Sequence, residues 1–145
     1  GRAGRKNLTG EVFIQTLQPE HPVIKLCKEQ DSEKFISWEL KSRSKNSQPP
    51  FKSYISLILI SKIENILIKS SKAISDKIKK EFQELSIYGP APALLYKKNS
   101  EYRYRILLKL DKSPKLQQNL KNFLVKLQPP NRVKLYIDVD PINFI

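Results

Sequence analysis

From Phe51 onward the apolar residues switch between a period of two and a period near 3.6, and the order of those switches is the strongest constraint on the fold. Residues 51–61, FKSYISLILIS, read as a strand that is apolar on both faces through its middle, which predicts a central place in a covered sheet. Ile63, Ile66, Leu67, Ile74, Ile78, Phe82 and Leu85 then recur at three and four, one face of a helix of about six turns. Ser61 and Glu64 stand at its start with the spacing of a capping box. Segment 87–96, IYGPAPALLY, is strand-like but holds two prolines, so it belongs at a sheet edge. After a turn at KKNSE (97–101), residues 102–110 alternate Tyr102, Tyr104, Ile106, Leu108 and Leu110 against Arg103, Arg105, Leu107 and Lys109. Ser113 as cap and Pro114 at the first helical position open a second helix, with Leu116, Leu120, Phe123, Leu124 and Leu127 on one side and Pro129-Pro130 as its stop. Residues 132–140 close the pattern as a strand with Val133, Leu135, Ile137 and Val139 facing inward. The order strand, helix, strand, strand, helix, strand is two βαβ crossovers sharing a hairpin. Right-handed crossovers fold that order into a four-stranded sheet with both helices on one face, the α+β arrangement of ferredoxin-like (βαββαβ) domains.

Residues 1–50 are patterned differently. Residues 10–18 alternate well enough for one strand after a glycine turn, and Pro19-Glu20-His21-Pro22 breaks regular structure. A helix is expected over 31–43, capped by Asp31 or Ser32 and carrying Phe35, Ile36 and Leu40 on its apolar side. The polar run SRSKNSQPPF (42–51) reads as a boundary, dividing the chain into 1–50 and 51–145.

Charge narrows the function classes. The 27 Lys and Arg outweigh 14 Asp and Glu, and +10 of the +13 falls in residues 51–145. A domain so basic attracts polyanions, nucleic acid first and acidic protein tails second. The competing reading is a solvated surface, because 21 of the cations are lysine. One cysteine, Cys27, and one histidine, His21, do not complete a zinc site of three or four ligands, so no metal site is expected in this chain. No apolar run approaches the roughly 20 residues of a membrane helix, and no signal peptide opens the sequence; a cytoplasmic location without membrane contact is expected. Asp138 and Asp140, two apart on a strand, share a face as a catalytic pair would. No third ligand accompanies them, and a structural role with Asp140 bonding local amides is the favoured reading.

Several stretches, taken in order, resemble one family. They are GRAGR (1–5), GEVFIQTLQPEHPVI (10–24), Glu39, Leu40 and Arg43 leading to PPF (49–51), YGPAPA (88–93), YRYRILLK (102–109) and DVDPINF (138–144). Together they resemble the C-terminal end of the PriA family of replication-restart helicases, also called primosomal protein N′. The resemblance implies that GRAGR is the end of helicase motif VI. Arg5 would then be an arginine finger and Arg2 its support, facing the γ-phosphate of ATP held by another motor lobe. The chain has no G-x-x-x-x-G-K-[ST] loop to cradle phosphates, so it is not expected to hydrolyse ATP alone. ATP, magnesium and zinc are implied only for the rest of such a helicase, as is 3′–5′ unwinding. Residues 1–50 would be the end of the second motor lobe, a strand and a helix. Residues 51–145 would be a domain like a small-subunit ribosomal protein that binds forked or single-stranded DNA.

The resemblance further implies the acidic tail of single-strand DNA-binding protein and other primosome proteins as partners. Arg103, Arg105, Lys97, Lys98 and Lys109 are candidates for phosphate or carboxylate contacts. Tyr102 and Tyr104 are candidates for base stacking if exposed, but they share the parity of Ile106 and Leu108, which favours core packing. Alternative readings are a stand-alone basic nucleic-acid-binding module and a remnant of a truncated gene.

Overall fold

A computed structural model of the chain describes residues 10–142 and divides into two compact units, Gly1–Ser42 and Arg43–Ile145. Arg2 and Arg5 lie outside the described residues. In the first unit, helix α1 (Pro22–Glu29) starts where a break in regular structure was expected. Proline costs nothing at the first helical position, where its missing amide would have no partner anyway, and the His21 ring completes the start by accepting from the Val23 amide at 3.3 Å. Helix α2 (Ser32–Lys45) is close to the expected span. Its cap is Asp31, whose Oδ1 accepts from the Lys34 amide at 2.9 Å. That amide, with the Lys34 ammonium, holds the Asp31 carboxyl below the usual range, and the Asp31 carboxylate raises the Lys34 pKa in return.

Two expectations for this unit fail. The segment 10–18 is not a strand, and Phe13 and Leu17 stand almost wholly in solvent. A strand exists only against a neighbour that takes its amides and carbonyls, and no described residue pairs with this segment. Phe35, Ile36 and Leu40 are likewise exposed, and no residue of α2 is buried.

The second unit follows the pattern of periods. It runs β1 (Lys52–Ser61), α3 (Glu64–Glu81), β2 (Ser86–Lys98), β3 (Glu101–Asp111), α4 (Pro114–Lys126) and β4 (Lys134–Val139). The sheet order is β2-β3-β1-β4, antiparallel throughout, so each crossover skips one strand as the ferredoxin-like arrangement requires. One face of the sheet supplies Ile55, Leu57 and Leu59 from β1 and Ile106, Leu108 and Leu110 from β3. Leu67, Ile74 and Ile78 from α3 and Leu120 and Leu124 from α4 close over them, and the Phe82 and Phe123 rings meet edge-on at 5.3 Å. Deep burial of side chains of this size contributes roughly 1.5–3 kcal/mol each, which is why the unit is organised around these positions.

Helix α3 is shorter than its apolar pattern. The capping box does not form, because Ile60 and Ser61 remain paired with Arg103 and Tyr102 of β3, so the sheet ladder claims the residues that would have begun the helix. The Ser61 hydroxyl accepts from the Ile63 amide at 3.1 Å instead. Leu85 lies beyond the helix but still joins the core. Between Leu67 and Ile74 the buried face of α3 is made of Ser70 and Ser71, with Ser75 following, small side chains that let the helix lie close to the sheet.

Strand β2 is an edge strand, as its prolines require, and its pairing with β3 is interrupted between Tyr88 and Ala91 and again between Pro92 and Lys97. At Gly89 φ is +92°, and a Cβ there would lie 2.7 Å from the Arg105 carbonyl oxygen. The far end of β2 is tied to α3 by the Tyr96 hydroxyl, which donates to the Glu64 carboxylate.

The Gly89→Ala variant should lose at least about 2 kcal/mol of stability in urea unfolding, since it incurs both a left-handed φ and a backbone clash. An unchanged midpoint would mean that β2 does not hold this path. The Glu64 hydrogen bond raises the Tyr96 pKa from the ordinary 10.0 to about 12. The folded state thus favours the neutral phenol, a contribution complete below pH about 10 and lost as pH rises towards 12. Ultraviolet titration should therefore show a late phenol that is absent in Tyr96→Phe.

Candidate nucleic-acid interface

Strand β3 lies between β2 and β1, so both of its edges are paired and its alternation separates two kinds of side chain on its two faces. Tyr102, Tyr104, Ile106 and Leu108 face α3 and α4, and the two tyrosines pack against the core. The Tyr96 ring sits 5.5 Å from Tyr102 and 6.3 Å from Tyr104, making an aromatic corner under the helix side of the sheet. Packing, not exposure, is what the parity of these residues yields. The Lys97 ammonium lies 4.5 Å from the centre of the Tyr102 ring and 3.1 Å from its hydroxyl. Lys97 therefore belongs to the tyrosine side, while Lys98 is exposed at the start of the β2–β3 turn.

Arg103, Arg105 and Lys109 occupy the opposite face. The register brings further residues beside them in rows across the sheet. Arg103 stands next to Ile60, which pairs with Lys134 of β4; Arg105 stands next to Ile58, which pairs with Tyr136; Leu107 stands between Tyr88 of β2 and Ser56, which pairs with Asp138. Ser56 and Ile60 are buried although they lie on the face away from the core helices, because the longer arginine and leucine side chains lie beside them. Among the described residues the Arg103 Nε is buried without a hydrogen-bond partner. Lys109 reaches the Asn46 carbonyl at 3.4 Å, a long contact. Lys134 pairs with Glu101 at 3.0 Å, and that carboxylate raises the lysine's pKa. The sequence-derived candidates thus divide between two faces, with Arg103, Arg105 and Lys109 on one and Tyr102, Tyr104 and Lys97 on the other.

Tyr88, Tyr136 and Lys134 share the arginine face and were not singled out from the sequence. The alternation around them carried the signal: Tyr136 stands between Leu135 and Ile137, two residues expected to face inward, and Tyr88 follows Ile87, which packs against the core.

Elsewhere the second unit has a hollow of about 240 Å³ between α4 and β4, lined by Ile55, Leu110, Leu124, Val125, Ile137 and Val139 with Ser53, Gln117, Lys121 and Asp140. It lacks the makings of an active site, because its one carboxylate is committed. Asp140 Oδ1 accepts from the Tyr54 amide at 3.1 Å and the Asp140 amide donates to the Tyr54 carbonyl at 2.8 Å, which extends the β1–β4 ladder past Val139. The amide bonded by Asp140 is thus on another strand and not local, and the left-handed backbone at Asp140 (φ 50°) ends its alternation with Asp138. Among the described residues no three His, Cys, Asp or Glu side chains are grouped so as to hold a metal ion, so the donor set does not fit zinc. No helix among them is long and apolar enough to cross a membrane.

A sequence model of the primosomal protein N C-terminal domain matches residues 46–142. The replication restart protein PriA of Rickettsia typhi is 37% identical over 144 residues, covering 99% of this chain and 22% of that protein. The PriA proteins of Synechocystis and Treponema pallidum are 35% and 32% identical, with 17% and 22% of their lengths covered. The chain spans about a fifth of the length of the relatives it matches. Cations gathered on one sheet face of a βαββαβ unit and this match over the same residues lead to one assignment: the chain belongs to the PriA family, of which it carries the primosomal protein N C-terminal domain.

Proposed function

We propose that the β-sheet unit is a DNA-binding module of a replication-restart protein, engaging forked or single-stranded DNA through the face that carries Arg103, Arg105 and Lys109. The observation that carries this reading is the gathering of these three cations on one strand face, with Lys134 on the same sheet face of edge strand β4, in a chain of net charge +13. Guanidinium groups suit phosphate oxygens, which they meet with two parallel hydrogen bonds. The carboxylates of the strands on that face are Asp138, Glu101 and Asp111, of which Glu101 is paired with Lys134 and Asp111 with Lys52. Exposed Lys98, beside the same sheet end, adds charge of the same sign for DNA or for the acidic tail of single-strand DNA-binding protein, the protein partner this reading includes.

ATP-driven 3′–5′ unwinding is proposed for a longer polypeptide, in which Arg5 and Arg2 would approach a nucleotide bound by another lobe. Nothing in the described residues cradles phosphates in that way, so no step of hydrolysis is assigned to them.

Affinity for fluorescein-labelled forked and single-stranded oligonucleotides should fall steeply with added salt, as counterion release requires. Replacing Arg103 and Arg105 by glutamine keeps the aliphatic stems over Ile58 and Ile60 and should cost less than about 1 kcal/mol of stability. The same double change should weaken single-strand binding about tenfold and flatten the salt slope by about 1.4. A slope unchanged in the double variant would place the phosphate contacts elsewhere.

A further inference from the structure

We propose that the arginine face is a platform for unpaired DNA, on which Tyr88 and Tyr136 stack against bases while the cations between them hold the backbone. The proposal rests on the DNA-binding reading above and names the form of nucleic acid and the residues that distinguish it.

Tyr88 is 52% exposed and Tyr136 is 54% exposed, in contrast with Tyr102 and Tyr104, whose rings are used by the core. The two exposed tyrosines stand on the two outer strands of the sheet, which are about 14 Å apart at the spacing of neighbouring strands, and are offset from one another by one row of the ladder. Between them lie Leu107 and Arg105 of β3 and Ile58 of β1, in adjoining rows of the ladder. A nucleic-acid strand crossing the sheet obliquely, from the Tyr88 row to the adjoining Tyr136 row, would therefore meet ring, cation and apolar surface, then ring again. That is the sequence of contacts a flexible chain of bases and phosphates satisfies.

A duplex does not use such a surface. Its bases are stacked within the helix, and its major groove of about 12 Å admits a helix or a two-stranded ribbon but not a four-stranded sheet face, so duplex DNA would contact the cations and leave Ile58, Leu107 and both rings without partners. Half-buried Ile58 and Leu107 instead present an apolar floor to unstacked bases. Asp138, in the row of Tyr88 and Leu107, repels phosphate on the β4 side and so directs the backbone towards Arg105, Arg103 and Lys134.

The test compares the full chain with Tyr88→Ala, Tyr136→Ala, the double alanine variant and the two phenylalanine variants. Anisotropy would be read on a labelled thymidine oligomer of about 12 nucleotides, an abasic oligomer of the same length and a duplex. Each alanine change should weaken thymidine-oligomer binding about tenfold, leave the salt slope unchanged and leave abasic and duplex binding within twofold. Phenylalanine should restore binding, which separates stacking from loss of fold. The stacking proposal is overturned if the double alanine variant binds the thymidine oligomer as the native chain does, or if native chain binds abasic and thymidine oligomers equally. Those results would leave the DNA-binding reading intact. Absence of binding to every oligonucleotide at low salt would overturn both.

Discussion

Ten consecutive residues of β1 stand opposite ten of β3, from Lys52 beside Asp111 to Ser61 beside Tyr102, and this antiparallel ladder is the constraint on which the second unit depends. Its inner face brings Leu57 and Leu59 against Ile106 and Leu108, all fully buried, and gives α3 and α4 a surface to close over. Its outer face, by the same pleat, must then carry Arg103, Arg105 and Lys109. Hydrophobic burial on one side thus positions charge on the other. The arginines need no scaffold of their own, because the register that fills the core also spaces them.

The strong periodic elements were legible because their signal is local. The alternation from Tyr102 to Leu110 and the helix spacing from Leu116 to Leu124 each state which residues turn inward, and those residues belong to the core or pack against it. Where a neighbour decides, the local signal misleads. Ser61 and Glu64 have the spacing of a capping box, yet the β1–β3 ladder holds Ser61 and the Tyr96 hydroxyl takes Glu64. Residues 10–18 alternate as a strand does, but among the described residues nothing supplies the matching ladder. Helix α1 was hidden because Pro22 was read for the amide it lacks and not for the helical φ it favours.

The candidate interface was half legible for the same reason. That Arg103 and Arg105 share a face opposite Tyr104 follows from one strand alone. That Tyr136 joins Arg105 in a row requires knowing that β1 pairs with β3 on one side and β4 on the other, and at which residues. Tyr88 requires more still, since interruptions in the β2–β3 pairing break any simple count along β2. Position along one strand is a property of the sequence, whereas position across a sheet is set by the fold.

The length of β3 has a consequence for how such a domain can change. A substitution on its outer face leaves the inward residues in register with the core, so the chemistry of the binding surface can change residue by residue without exchanging the faces. A single inserted or deleted residue within 101–111 is a different matter, because it would exchange the two faces, placing guanidinium groups under the helices and isoleucine and leucine in solvent. In β3 the outer residues can change in identity more readily than in number.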